Sequence, residues 1–287
     1  MPELEFDRRD DVVSVTLGGV TVAEYHATAD IAPVDTPKPY FHPLRTPGGV
    51  VITDFGPSDH TWHHGLAFAF PRVGPHNLWG GGTYLSPEEG YQVLPDQGRL
   101  QHQAWTAADA TTIAHEVSWR GHGDEPLITE SRQWHLRSEG DALVIDLDTV
   151  LANATDEPLP LATPAQRGRP DGGYGGLWLR LGEDFAAEAL FDDDNSAITE
   201  SGAESRTLVV HGVTGEGEKV TLGLSFLPNA SPGTQKWIYR FDPFSAIGWG
   251  VAYDEELELP VGGSLAFGHR LAILDGHVDP DAVRALL

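Results

Sequence analysis

Apolar residues recur at every second position along most of this 287-residue chain, and glycine or proline interrupts them before a helical period can build. Side chains that alternate with period two belong to half-buried β-strands. Val13, Val15 and Leu17 run up to a Gly18-Gly19 pair, and Val20 and Val22 resume beyond it, which predicts a tight hairpin. Similar segments lie at 50–54, 65–70, 113–120, 128–136, 142–152, 177–181, 207–211, 220–227, 247–253 and 263–274. Breakers separate them, among them Gly121-His122-Gly123-Asp124, Arg169-Pro170-Asp171-Gly172-Gly173 and Ser231-Pro232-Gly233. The pattern predicts an all-β chain, an antiparallel β-sandwich with little helix. Only residues 279–287 carry a helix start, with Asp279 as cap and Pro280 in the first turn. No low-complexity linker or internal repeat divides the chain, so residues 1–287 are expected to form a single β-sandwich domain.

The chain is strongly acidic, with 43 Asp and Glu against 18 Lys and Arg and a formal net charge of −25. Such a field repels phosphate backbones and anionic lipid, so neither nucleic acid nor a membrane surface is an expected partner. There is no cysteine, which removes disulfides, zinc–thiolate sites and thiol nucleophiles from consideration. Charges occupy residues 1–11 where a secretory signal would need an apolar run, and no window approaches the roughly 18 apolar residues of a spanning helix. A soluble, cytoplasmic protein is expected.

Chemistry concentrates at Asp59-His60-Thr61-Trp62-His63-His64-Gly65, followed by Asn77-Leu78-Trp79-Gly80-Gly81-Gly82. Neutral imidazole is a general base near neutral pH and a common metal ligand. Tryptophan offers a flat apolar face with one polar N–H, suited to a sugar ring. A helix would place His60, His63 and His64 together, but the Glu of a zinc-protease helix is missing and Pro57 precedes the run. A strand or loop is the expectation; in a strand, His60, Trp62 and His64 point one way and His63 the other. A further ligand or base must then come from His102, Glu130 or His135. Asp59 is placed to orient an imidazole or to close an Asx-turn.

Other segments add candidates. The glycines at 80–82 permit close backbone approach to a ligand, with Asn77, Trp79 and Tyr84 beside them. Glu130 and Arg132 alternate with Ile128 and share a side with Trp134, the pattern of either a polar cleft or a solvated face. Gln166-Arg167-Gly168-Arg169 leads into a glycine-rich lip ending at Trp178, where Arg167 or Tyr174 could bind a hydroxyl or carboxylate. Neither a dinucleotide fingerprint nor a nucleophile elbow is present.

Taken in order, Lys38-Pro39-Tyr40-Phe41-His42-Pro43-Leu44, Pro47-Gly48-Gly49, Asp59 to Leu66, Asn77-Leu78-Trp79-Gly80, Gly172-Gly173-Tyr174-Gly175-Gly176, Asp242-Pro243-Phe244 and Arg270 to Gly276 form a recurring series. It resembles a bacterial family of unknown function, the PmoA-like (DUF6807) proteins, over roughly residues 36–277. The label "methane oxygenase" attached to that family implies a membrane-embedded subunit with spanning helices, which this sequence does not encode. The resemblance implies a galactose-mutarotase-like supersandwich and a place in carbohydrate catabolism.

The expected function is an enzyme acting on a sugar or oxidised sugar derivative, by epimerisation, elimination or hydrolysis. His60, His63, His64, His102, Asp59 and Glu130 are its candidate catalytic groups. Trp62, Trp79, Asn77, Tyr84, Arg167 and Tyr174 are its candidate substrate contacts. A divalent metal, held by His60, His64 and His102, is one version of that chemistry; no other cofactor is implied. A carbohydrate-binding protein without catalysis and a metal-dependent oxygenase are the alternatives. The expected partner is a small-molecule carbohydrate, and a homodimer is allowed, though no segment marks its interface.

Overall fold

The structure, a computed structural model, describes residues 3–109, 111–228, 233 and 236–287. The breaker at Ser231-Pro232 lies outside them. Two eight-stranded sheets carry most of the chain. The first runs Leu4–Arg9, Val12–Leu17, Val20–His26, Tyr40–Leu44, Leu66–Ala69, Gly176–Arg180, Ala246–Gly250, Lys236–Arg240 from edge to edge. The second runs Ala186–Phe191, Thr207–Val213, Lys219–Phe226, Ser264–Asp275, Ala142–Asn153, Pro126–Glu139, Thr112–Arg120, Arg99–Ala108. Every ladder within them is antiparallel. The first hairpin turns where expected, with Gly18 and Gly19 both at positive φ. Asp279 caps the single α-helix among the described residues, Pro280–Arg284, by accepting from the Asp281 amide. Residues 50–54 make only isolated bridges, Arg45 to Val51 and Thr53 to Leu181, because Thr53 Oγ1 takes the Leu44 amide in place of a ladder carbonyl.

The sheets stack face to face through aromatic pairs: Phe41 with Trp134, Phe68 with Phe267, and Phe226 with Trp237, at centroid distances of 5.0, 5.5 and 4.7 Å. The inner face of the Pro126–Glu139 strand explains Glu130 and Arg132. They do share a side with Trp134, but that side is the interior rather than a cleft or solvent, and both are wholly buried. Arg132 Nε and Nη2 donate to the Glu130 carboxylate at 2.6 and 2.9 Å. Trp119 Nε1 and Thr149 Oγ1 each donate to it at 2.6 Å. A charge so placed must be paired and hydrogen-bonded, and this one is.

The first sheet is covered on both faces. Along the Leu66–Ala69 strand, Leu66 and Phe68 point to the second sheet while Ala67 and Ala69 point outward, yet all four are buried. The outward row Ala67, Trp178, Gly248 is in register across three strands, and the next row is Arg180, Ala246, Arg240. Small residues between large ones leave room for Trp178 to lie on the sheet. A Cβ on Gly248 would sit 2.5 Å from its ring.

Two consequences can be measured. Arg132→Met leaves the buried Glu130 carboxyl without its partner, and is expected to cost about 3–5 kcal/mol of unfolding free energy in urea. His269 is buried among Phe68, Phe226 and Trp249 with neither ring nitrogen bonded, and burial lowers its pKa to about 3. Below the ordinary histidine value of about 6.5 the unfolded chain takes up a proton that folded His269 refuses. Its contribution is therefore present above that pH and is lost as pH falls toward 3, by up to about 1.4 kcal/mol per pH unit. His269→Phe should flatten the fall in urea midpoint between neutral pH and pH 4.5; an unchanged slope would refute this account.

Candidate functional site

The covering over the outer face of the first sheet is not solid. It encloses a cavity of about 280 Å³ between Trp178 and four loops, near the lower end of ligand-pocket sizes. The histidine-rich segment forms the wall nearest the sheet. It is neither helix nor strand but two successive turns, closed by His60 N to Pro57 O and His63 N to His60 O. The expected alternation of side chains is therefore replaced by an i, i+3 relation. His60 and His63 stack at 4.8 Å and line the cavity with Trp62. His64 turns away, stacks on Phe55 and bonds the Thr61 carbonyl through Nε2.

Asp59 and Arg180 hold this wall. Arg180, 1% exposed on the sheet's outer face, donates through Nη2 and Nη1 to the Asp59 carboxylate at 3.1 and 3.3 Å. Burial alone would raise the Asp59 pKa, but the bonds from His60 and Arg180 outweigh it and hold the carboxyl ionised below its ordinary value. His60 Nδ1 donates to Asp59 Oδ2 at 2.7 Å, which fixes the tautomer and leaves Nε2 as a lone pair with no protein partner among the described residues. Burial lowers the His60 pKa, with Asp59 opposing the shift. His63 Nδ1 lies 3.5 Å from Arg180 Nη1 and, facing a donor, can only accept, so the ring proton of neutral His63 sits on Nε2. Burial, followed by the neighbouring His60 and Arg180, puts the His63 pKa well below its ordinary value. Two adjacent rings thus offer opposite functions: His60 an acceptor, His63 a donor.

The remaining walls are aromatic. Trp79 meets Tyr174 at 5.1 Å and Trp178 at 5.5 Å, and Tyr174 and Tyr91 join through their hydroxyls at 2.6 Å. Trp79 is held from behind by Lys38, a buried ammonium whose Nζ donates to the carbonyls of Asp35, Thr36 and Trp79. Burial lowers the Lys38 pKa to about 7, with the charge of Asp35 opposing the shift. Trp62 lies flat on the glycine run. Gly81 has a φ of +66°, and a Cβ there would stand 2.7 Å from the Trp62 ring. Arg169, Arg240 and Phe244 complete the cavity.

Of the twelve site residues expected from sequence, His60, His63, Trp62, Trp79 and Tyr174 line this cavity. Asp59 stands behind it. Asn77 is 2% exposed and shapes the turn instead, its Oδ1 accepting from the amides of Trp79 and Gly80. With Tyr84 and Arg167 it lines an adjoining recess of about 20 Å³, room for one water. Glu130 lies in the core between the sheets. His102 is on the far edge strand of the second sheet, bonded Nδ1 to Nδ1 with His115 at 2.8 Å, while His115 Nε2 bonds Tyr25 Oη. His60, His64 and His102 therefore do not converge, and no three His, Asp or Glu side chains among the described residues are placed to hold a metal. The donor set does not fit a divalent ion. Sequence reading passed over Arg180, Arg240, Tyr91 and Phe244; the Asp242-Pro243-Phe244 motif was the one signal near them.

Fold and site together define a β-sandwich protein with an aromatic, histidine-bearing cavity on the outer face of one sheet. The chain belongs to a family of unknown function (DUF6807), whose model matches residues 12–287. No curated protein sequence matches it. Among solved structures it is similar to the galactosidase domain of an alpha-galactosidase–sucrose kinase, at 8% identity and a TM-score of 0.49, over 95% of this chain and 42% of that one. It is also similar to a polysaccharide lyase (13%, TM-score 0.38, 100% of this chain and 34% of that one). A galactose mutarotase related enzyme from Lactobacillus acidophilus matches at 10% and TM-score 0.35, over 94% and 97% of the two chains. The chain thus spans less than half the length of the first two. No helix among the described residues is long and apolar enough to cross a membrane.

The packing of Trp62 on the glycine run has a direct test. Gly81→Ala is expected to destabilise the protein more than Gly90→Ala. Both positions have positive φ, costing about 1–2 kcal/mol for a side chain, but Gly90 faces open space. Equal losses in urea unfolding, with an unchanged near-ultraviolet tryptophan signal, would contradict the contact.

Proposed function

We propose that this protein is an enzyme that moves a proton on a sugar or an oxidised sugar derivative, with His60 as general base. The observation that supports it is the Asp59–His60 pair, in which a carboxylate fixes an imidazole that lines an aromatic cavity and leaves its other nitrogen unbonded among the described residues. His60 Nε2 takes a proton from a carbon adjacent to a carbonyl or carboxyl group of the bound sugar. The electron pair left behind moves onto the neighbouring oxygen, where His63 Nε2–H donates to the developing charge. Return of the proton gives an isomer; loss of a leaving group instead gives elimination. Hydrolysis of a glycoside has less support, since it ordinarily requires two carboxyl groups flanking the bond. No Asp or Glu among the described residues lines this cavity.

The aromatic rings that would stack on a sugar would serve equally well in a protein that only binds one. The two readings separate on His60. Exchange of sugar C–H protons with deuterated water, followed by NMR over a panel of monosaccharides and sugar acids, should show a substrate whose exchange falls at least about 100-fold in His60→Gln. Undiminished sugar binding with no exchange in either protein would favour the passive binder.

The pH profile supplies a second check. The rate should be lost as pH falls through the His60 pKa, because the protonated ring cannot accept. Asp59 raises that pKa, so Asp59→Asn should move the acid limb to lower pH while reducing the maximal rate. An acid limb that stays in place would exclude His60 as the titrating base.

A further inference from the structure

Arg169 and Arg240 stand together at the cavity wall, and among the described residues neither is ion-paired. Arg240 donates through Nη2 to the Asp171 carbonyl at 3.1 Å, and its guanidinium carbon lies 5.9 Å from the Phe244 centroid. The Arg169 guanidinium lies 5.1 Å from the Tyr91 centroid. Both are half-buried. Arg180, the third guanidinium in the region, is neutralised by Asp59, so the cavity keeps two positive charges with no carboxylate on its wall. Burial and then the charge of Arg169 disfavour the protonated form of Arg240, while Tyr174, Tyr91 and the exposed Asp171 favour it. In a chain with 43 acidic residues, mutual repulsion of this kind persists at a wall where an acidic side chain would relieve it.

We propose that the arginine pair receives the anionic group of the ligand, and that the ligand is a sugar acid whose carboxylate sits between Arg169 and Arg240 while its ring lies against Trp79 and Trp178. This rests on the sugar-directed reading above and narrows it to a substrate class. A planar carboxylate matches two planar guanidinium forks, each able to donate a pair of parallel hydrogen bonds. A carboxylate held by cations also acidifies the carbon beside it, which is where a base of the strength of His60 could act. A sugar phosphate would use the same cations and is the other source of the charge.

The test is isothermal titration of the full chain with glucuronate, galacturonate, gluconate, glucose and glucose 6-phosphate, at low and at 0.5 M salt. At least one sugar acid should bind 10-fold or more tighter than glucose and weaken at high salt. Arg169→Gln and Arg240→Gln should each lower that affinity 10-fold or more, and Arg169→Lys by less, because it keeps the charge but not the fork. Arg206→Gln, an exposed arginine outside the cavity, controls for net charge, and melting curves without ligand control for folding. Glucose binding as tightly as the acids, tighter binding of glucose 6-phosphate, binding by none of them, or sugar-acid binding indifferent to both glutamines would each overturn the proposal. His60-dependent proton exchange on a neutral sugar would overturn it while sparing the enzyme reading. Arginine-dependent sugar-acid binding without exchange would uphold it and remove catalysis.

Discussion

The site depends on one buried cation. Arg180 lies on the outer face of the first sheet with its guanidinium almost wholly removed from water, a position that is costly unless an anion meets it. Asp59 is that anion, and it comes from a loop rather than from a neighbouring strand. The pair therefore joins the rigid sheet to the turn that carries His60 and His63. Loss of either partner would leave the turn held by the Thr61–Asp35 bond, its own backbone bonds and the packing of Trp62 on the glycine run, with no tie to the sheet's outer-face cation. The same contact sets the chemistry: the Asp59 oxygen that accepts from Arg180 Nη1 also receives His60 Nδ1–H, and another N–H of Arg180 fixes the His63 tautomer.

The second constraint is that a sheet covered on both faces must use small residues somewhere. Ala67, Ala246 and Gly248 supply them, and each lies beside a large side chain of the cavity floor or wall. The rows across the Gly176–Arg180, Ala246–Gly250 and Lys236–Arg240 strands explain why Trp178 and Arg180, from one strand, meet Arg240, which is distant from them in sequence. Lys38 performs the complementary task for the opposite wall. Its three carbonyl partners tie residues 35–36 to Trp79, while Gly81 N bonds the Val34 carbonyl and Thr61 Oγ1 donates to Asp35. A short segment around residues 34–38 thus underlies both the Trp62 and the Trp79 loops.

The sandwich was legible because period-two alternation is a local signal, and the hairpin at Gly18-Gly19 and the cap at Asp279 are local too. His60, His63, Trp62 and Trp79 could be found because they cluster in the chain. Their orientation could not, since two consecutive turns place side chains three apart on one side, whereas a strand places those two apart there. Arg180 and Arg240 were invisible for a different reason: their meeting depends on which strands are neighbours, a long-range fact that no spacing records. Glu130 and Arg132 misled because a charged pair on an inward face has the same sequence pattern as one facing water. Only Trp119 and Thr149, from adjacent strands, complete the bonds that make its burial tolerable. His102 shares a residue type with the site and nothing else, being bound to His115 at the far edge of the other sheet.

A net charge of −25 and an anion-accepting cavity are compatible once distance is considered. Surface carboxylates beyond about 8 Å of water and salt contribute little to the potential inside a pocket at physiological ionic strength. Guanidinium groups on aromatic walls, partly stripped of water, act at contact distance and in a lower dielectric, where a charge-assisted bond is stronger. The acidic exterior would slow the approach of an anion and leave its bound state governed by the wall it touches. Affinity and encounter rate are then set by different parts of the same molecule. In that arrangement the two arginines are the local exception that a globally acidic chain needs if it is to hold a negatively charged guest at all.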